Sequence, residues 1–407
     1  MIQRNPAIAR LAASYLFVEI AKRKEEYLKK HPGDRLISLG IGDTTEPIPE
    51  VISEGFIRKA QELSTLKGYT GYGDSAGVME LRKAIAEKIY LGRVEADEVF
   101  VSDGSKSDLA RMQMLFGSET KIALQDPSYP AYISGSVIAG KSGSFDQANG
   151  RYEGIKYLTC DPTNGFFPDL EEAKGSDLLY FCSPNNPTGM VPTRRQMEEL
   201  VAFAKRERMI IVFDSAYMGF IRGKELVRSI FEIEGAKEVA LETGSFSKMG
   251  GFTGVRLGWT VVPKALKFAG GESVRDDWTK VISACFNAAS NIAQAGGVAL
   301  LSDEGMAEVE RLTDFYWENG QILKRAVESS GYKCYGGDHA PYLWVWMNGE
   351  GSWEAFDRLL KRAQIVTTPG VGFGPAGEGF LRFSAFGHRA DIEEAARRLK
   401  SVLARQL

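Results

Sequence analysis

Residues 245–259 read SFSKMGGFTGVRLGW. They follow EVALE (238–242), a short apolar run that suits a β-strand, so Lys248 stands just beyond a strand's carboxyl end. The same arrangement recurs upstream. EVFVS (98–102), KIALQ (121–125), LLYFC (178–182) and MIIVF (209–213) are brief β-branched or aromatic runs, each followed by a polar cluster. Runs apolar at nearly every position suit strands buried on both faces of a mostly parallel sheet. RQMEELVAFAKRE (195–207) and VMELRKAIAEKIY (78–90), the latter with Leu81, Ile85 and Ile89 at helical spacing, read as helices filling the gaps. The expectation is a large α/β domain.

Both chain ends have a different texture. Residues 16–30 predict an amphipathic helix with a basic outer face, and ISLGIGD (37–43) a strand running into a loop. MAEVERLTDFYWENGQILKRAVESSG (306–331) predicts one long helix, followed by PYLWVWM (341–347), EAFDRLLKRA (354–363), FLRFSAF (380–386) and a last helix. The expected division is a smaller α+β domain from 1–45 and 302–407 around a large domain at 46–301. GVGFGPAGEG (370–379) is glycine-rich, but a strand follows it where a dinucleotide loop needs a helix, so it is expected to be a loop at the mouth of a site.

Composition narrows the function classes. With 44% apolar and 25% charged residues the 407-residue chain has the make-up of a soluble globular protein. A net charge of -3 leaves no basic surplus to neutralise phosphates, so no nucleic-acid partner is expected. Cys160, Cys182, Cys285 and Cys334 are widely spaced, as are His31, His339 and His388. That spacing predicts reduced thiols and no metal site. No apolar run is long enough for a membrane span, and the N-terminus lacks a signal-peptide core. The expected location is the cytoplasm, or an organelle stroma if a transit peptide has been removed.

In α/β sheets ligands gather beyond the carboxyl ends of the strands. The residues there form five sets: Gly104-Ser105-Lys106, Asp126 to Tyr129 (DPSY), Ser183 to Gly189 (SPNNPTG), Asp214 to Tyr217 (DSAY) and Ser245 to Lys248 (SFSK). One ligand explains all five. An aromatic aldehyde with a basic ring nitrogen, a phenolic oxygen and a phosphate needs a carboxylate, hydroxyl and amide donors, a stacking ring and a lysine.

SPNNPTG, then FDSAY, then SFSKMGGFTGVRLGW, in that order, resemble the pyridoxal-phosphate-binding set of the class I and II aminotransferases. The resemblance implies pyridoxal-phosphate fold type I, aspartate-aminotransferase-like, with Lys248 as the cofactor-bearing lysine and proton shuttle. It implies Asp214 opposite the pyridine nitrogen, Asn186 and Tyr217 on the phenolic oxygen, and Tyr129 against the ring face. Ser105, Ser245, Ser247 and Arg256, with Lys106 beside them, would hold the phosphate; Arg256 lies eight residues after Lys248, as in the family. Tyr72, in GYTGYGD, would reach the cofactor of a second subunit, which implies a homodimer with shared active sites. Arg382, in FLRFSAF, takes the place of the family's substrate α-carboxylate arginine.

SYLFVEI, LISLGIGDTTEPIP, VSDGSKSDLARMQMLFG, DPSYPAYISGSVI, FNAASNIAQAGG and VTTPGVGFGP are similar to segments of the LL-diaminopimelate aminotransferase family. That similarity implies amino transfer from glutamate to tetrahydrodipicolinate in lysine biosynthesis. It places Tyr15, Gly42, Lys106, Tyr129, Asn186, Arg382 and, from the partner subunit, Asn287 around the substrate. Both glutamate and diaminopimelate carry a second carboxylate, which a cation at Lys106 would grip. Two positions depart from the family. Its usual G-A-K is Gly104-Ser105-Lys106, and a glutamate common after Tyr-Gly-x is replaced in Tyr72-Gly73-Asp74-Ser75. The alternatives are an aminotransferase of other substrate (lysine-, aspartate- or aromatic-directed) and a non-catalytic regulatory module of the same fold.

Overall fold

The computed structural model describes residues 2–11 and 16–403. Its centre is a seven-stranded sheet of β1 (Val99–Ser102), β2 (Ile122–Asp126), β3 (Ile155–Thr159), β4 (Leu178–Cys182), β5 (Ile210–Asp214), β6 (Ala240–Ser245) and β7 (Gly258–Val261). The spatial order is β1-β7-β6-β5-β4-β2-β3. Pairing is parallel except at β7, which runs antiparallel to both of its neighbours.

Alternate residues of each strand serve opposite faces, and both faces are covered. Leu179, Phe181, Ile211 and Phe213 pack with Phe246 and Trp259 in one core. Tyr180, Val212 and Leu241 pack with Tyr132 and Trp278 in another. This is why the strands read as continuous apolar runs.

Two expectations about strands need correction. EVALE is displaced: Glu238 ends a 3-10 turn, and the strand begins at Ala240 and continues through Gly244 and Ser245, which pair with Trp259 and Gly258. The antiparallel β7 was hidden inside the lysine motif. Upstream, the helix expected over 78–90 is α-helical only over Met79–Ala84 and widens into a π turn at Ile85–Ile89.

Register explains the site. Asp214 aligns with Cys182 on one side and Thr243 on the other, so β4 and β5 end together and β6 runs two residues further, to Ser245. Gly258 aligns with both Ser245 and Ser102. The reversed strand β7 therefore brings Arg256, just before it, to the edge where β6 and β1 deliver Ser245 and Ser105.

The second body is a four-stranded antiparallel sheet, β8 (Cys334–Gly336), β9 (Tyr342–Trp346), β10 (Thr368–Pro369) and β11 (Phe380–Ser384), in the order β8-β9-β11-β10. Tyr27, Ile37 and Leu39 share its core with Leu343, Phe356, Leu381, Phe383, Ile392 and Leu399. Only Ile37–Ser38 of ISLGIGD forms a strand, paired with Ile365–Val366; beyond it the Leu39 amide donates to Val366 O and the Leu39 carbonyl accepts from the Ser384 amide, both at 2.7 Å. Helix α1 (Leu16–Lys30) matches the amphipathic reading.

A long helix over Asp303–Glu328 spans the two bodies' junction, where the Tyr316 hydroxyl accepts from the Thr45 and Glu46 amides at 2.8 Å each. The glycine-rich loop at 370–379 forms two short 3-10 turns. It docks on the end of β2: the Ser128 amide donates to Phe373 O at 2.8 Å and the Ala376 amide to Asp126 Oδ1 at 3.2 Å. Among the described residues no helix is long and apolar enough to cross a membrane.

Candidate active site

Between the two sheets lies a cavity of about 530 Å³, lined by residues at or after the ends of β1, β2, β4, β5 and β6, and just before β7. Ser105, Lys106, Tyr129, Asn186, Asp214, Tyr217, Ser245, Ser247, Lys248, Arg256, Gly42 and Arg382 all line it, as the sequence motifs anticipate. Four cations (Lys106, Lys248, Arg256, Arg382) face two carboxylates (Asp43, Asp214). The surplus of positive charge suits an anionic occupant.

At one end hydroxyl groups, amides and a guanidinium converge. Ser105 begins the helix Ser105–Met112, whose first amides point outward. Gly104, at φ +124, is required here: a β-carbon would lie 2.3 Å from Arg256 Nη2. Arg256 Nη1 donates to Ser247 Oγ at 3.2 Å and to Thr253 O at 3.1 Å. Arg256 itself has φ +68, a left-handed conformation costing about 1–2 kcal/mol in a non-glycine residue. Its amide is held by Phe252 O at 2.9 Å. Ser245 Oγ accepts from the Ser247 amide at 3.1 Å.

Asp214 closes the buried wall. Its Oδ2 accepts from the Tyr132 hydroxyl at 2.7 Å and its Oδ1 from the Ala216 amide at 3.0 Å. Burial pushes its carboxyl up from the usual range, while these two donors pull it back. A protonated ring nitrogen opposite would hold it ionised.

Lys248 projects between the two sheets and donates to the Gly42 carbonyl. Burial lowers its ammonium to about 8, with Arg382 and Arg256 acting in the same direction and Asp43 opposing them. Gly42 permits the approach, since a β-carbon there would lie 2.3 Å from the Tyr342 hydroxyl. Arg382 is only 2% exposed. Its Nη1 donates to Asn186 Oδ1 and its Nη2 to Gly40 O, both at 2.7 Å, and its plane stacks 4.3 Å over the Tyr342 ring. The Nε–H is buried without a protein partner among the described residues. The fork is held in place with donor capacity to spare, which is what a carboxylate clamp needs.

Two expected residues stay outside this cavity. Tyr72 is 88% exposed and Asn287 is also exposed. Tyr15 lies outside the described residues.

Residues 34–399 match the family model described as aminotransferase class I and II. The chain is 55% identical to an LL-diaminopimelate aminotransferase of Protochlamydia amoebophila, over 99% of this chain and 98% of that one. It is 52% identical to the chloroplastic LL-diaminopimelate aminotransferase of Arabidopsis thaliana, over 98% of this chain and 87% of that one. The solved LL-diaminopimelate aminotransferase of Chlamydomonas reinhardtii superposes with a TM-score of 0.94 at 53% identity, covering 98% of both chains. The chain belongs to the class I and II aminotransferases. It has their aspartate-aminotransferase-like fold, and pyridoxal 5'-phosphate is its cofactor.

The cavity fits that cofactor: a cluster of hydroxyls and a guanidinium that Gly104 makes room for, a buried carboxylate at Asp214, and a lysine of lowered pKa all line it. Three residues of this aminotransferase's site escaped the motifs. Tyr342 shares a 2.7 Å hydroxyl contact with Tyr217, Tyr132 holds Asp214, and Asp43 lines the mouth beside Lys248. Tyr342 comes from the second sheet, 125 residues from Tyr217, and no local spacing could announce it.

Proposed function

We propose that this enzyme transfers an amino group from glutamate to tetrahydrodipicolinate, giving LL-2,6-diaminopimelate and 2-oxoglutarate. The observation that carries the reading is the full-length likeness to enzymes of that name combined with a cavity presenting Lys248 between Arg382 and Lys106. Pyridoxal phosphate, when bound, supplies the carbonyl that accepts the amino group and a ring that draws electrons from the substrate's α-carbon.

The chain's own residues do the rest. Lys248 Nζ would anchor the cofactor and, as a neutral amine, would move the proton at the substrate's α-carbon. Asp214 would hold the ring nitrogen in its protonated form. Asn186 and Tyr217 would face the phenolic oxygen, and Tyr129 the ring face. Ser105, Ser245, Ser247 and Arg256 would hold the phosphate. Arg382 clamps the α-carboxylate and Lys106 the distal carboxylate.

We read the protein as a homodimer in which Tyr72 and Asn287 enter the neighbouring subunit's site, a role that accounts for two exposed residues in family site positions. A core drawn from both chain ends supports a division into 1–45 with 302–407 and 46–301, with Val309 of the long helix packing into the core of the middle part. We place the enzyme in the cytoplasm or an organelle stroma; the likeness to a chloroplastic relative supports the second.

A coupled assay with LL-, meso- and DD-diaminopimelate, lysine and aspartate as donors to 2-oxoglutarate tests this function. LL-diaminopimelate is expected to lead. Lysine or aspartate matching it would assign the site to another substrate.

A further inference from the structure

We infer that Tyr132 is a positioning residue for the reaction, setting the protonation of the cofactor's ring nitrogen through its hydrogen bond to Asp214. This rests on the assignment of Asp214 to that nitrogen.

The geometry is specific. Asp214 has two carboxylate oxygens and two protein donors, one on each. The Ala216 amide holds Oδ1 at 3.0 Å, and the Tyr132 hydroxyl holds Oδ2 at 2.7 Å. The amide comes from the Asp214 turn itself. Among the described residues Tyr132 alone reaches the carboxylate from elsewhere, from the first turn of the helix Ala131–Ile138. Without its hydroxyl, Oδ2 would lose its only donor among the described residues, in a buried setting. The carboxylate would then become more basic and compete for the proton it should leave on the ring. The hydroxyl does not give up its own proton, because burial holds it well above the normal tyrosine range.

The ring of Tyr132 is itself fixed. It stacks on Tyr180 with centroids 5.1 Å apart and planes at 12°. Gln113 Nε2 donates to the Tyr180 hydroxyl at 2.6 Å, and Lys141 Nζ donates to Gln113 O at 2.6 Å. On its other side Tyr132 meets Tyr129 edge-on, centroids 5.8 Å apart. One side chain thus contacts both the partner of the ring nitrogen and the residue that covers the ring face. Buried polar ladders of this kind cost free energy unless fully satisfied. A phenylalanine at 132 would keep the ring and its stack and remove only the hydroxyl, whose 2.7 Å bond goes to Asp214 Oδ2 and which also meets the Cys182 thiol.

The test is nitrogen-15 NMR of the protein loaded with pyridine-labelled cofactor, titrated from about pH 6 to 9, for wild type, Tyr132→Phe and Asp214→Asn, alongside kinetics. The inference predicts that Tyr132→Phe keeps the fold and retains cofactor but shifts the ring nitrogen toward the neutral pyridine resonance. Its kcat should fall roughly tenfold or more with KM little changed, the size expected for a lost hydrogen bond to a charged group. On an Asp214→Asn background the same change should add nothing. A nitrogen resonance unmoved by Tyr132→Phe but moved by Asp214→Asn overturns the inference alone. A resonance unmoved by either overturns the Asp214 assignment, and the inference falls with it. If Tyr132→Phe does not fold, 3-fluorotyrosine at 132 keeps ring, stack and bond while strengthening the donor. An unmoved resonance in that protein also overturns the inference.

Discussion

Lys106 stands on the first turn of its helix, exposed, with its side chain on the cavity wall, and Arg382 lies buried on the other sheet. A substrate with two carboxylates can span such a pair. Lys106→Gln should lower kcat/KM for LL-diaminopimelate and for glutamate by roughly ten- to a hundredfold, the cost of a lost charge-assisted contact. Lysine, with no second carboxylate, should fall far less. Stopped-flow half-reactions with the three donors decide it, and equal losses would assign Lys106 to the phosphate instead. Lys248 carries a pH prediction. With its ammonium lowered to about 8, the reactive neutral amine declines about tenfold per pH unit below that value. Covalent capture of cofactor by the cofactor-free protein should therefore rise with pH and level off above about 8. A plateau only near the ordinary lysine value of 10.5 would contradict the burial effect. Lys106 and Lys248 could be picked out because each sits in a short polar run just after a strand, whereas Arg382 lies within β11 and was picked out by the resemblance of FLRFSAF. Tyr132, Asp43 and Tyr342 were not, since their partners Asp214, Lys248 and Tyr217 become neighbours only when separate elements pack.

Elements hold the site in register, and one buried carboxylate ties three of them together. Glu242 on β6 accepts from Tyr90 OH at 3.0 Å and Ser215 Oγ at 2.8 Å through Oε1, and from Ser229 Oγ at 2.7 Å and the Ile230 amide at 3.1 Å through Oε2. Trp259 on β7 donates to the same Tyr90 hydroxyl at 2.8 Å. Burial nevertheless raises Glu242 from 4.5 to about 7. A group whose folded pKa is raised stabilises the fold fully below its unfolded pKa, and that contribution is lost as pH rises through the folded value. Melting temperature should therefore fall as pH climbs from about 4.5 to 7, and the fall should be shallower in Glu242→Gln. Asp108 and Asp126, both raised to about 6, leave a residual slope. The variant should also be less stable near its optimum by about 1–3 kcal/mol, because an amide NH2 cannot accept from the Ile230 N–H. An unchanged slope would remove Glu242 as the titrating group. The apolar runs made β1, β2, β4 and β5 readable. The antiparallel direction of β7 was not, because Gly258 and Trp259 carry no alternation and direction is set by pairing.

At the scale of the whole molecule, the site is made where two sheets face each other, and the proposed dimer completes it. Tyr72 is 88% exposed in its own chain. Mixing a Tyr72→Ala protein with a Lys248→Ala protein, each inactive, should restore activity through hybrid dimers carrying one intact site. No recovery after verified subunit exchange would argue against sharing. The change in texture near residue 300 announced a second, antiparallel sheet, whose strands β8 to β11 all lie beyond it. How closely Arg382 approaches Lys248 was not, because that distance depends on the docking of the two bodies. The most direct measurement of the central claim is borohydride reduction of the cofactor-loaded protein, with and without prior LL-diaminopimelate, followed by peptide mass analysis. Without substrate the cofactor should be fixed to the peptide containing Lys248. After a single turnover with LL-diaminopimelate, and not with the DD isomer, that label should vanish as one equivalent of oxo acid appears per site. A label on another peptide, or one that LL-diaminopimelate leaves in place, would contradict the account.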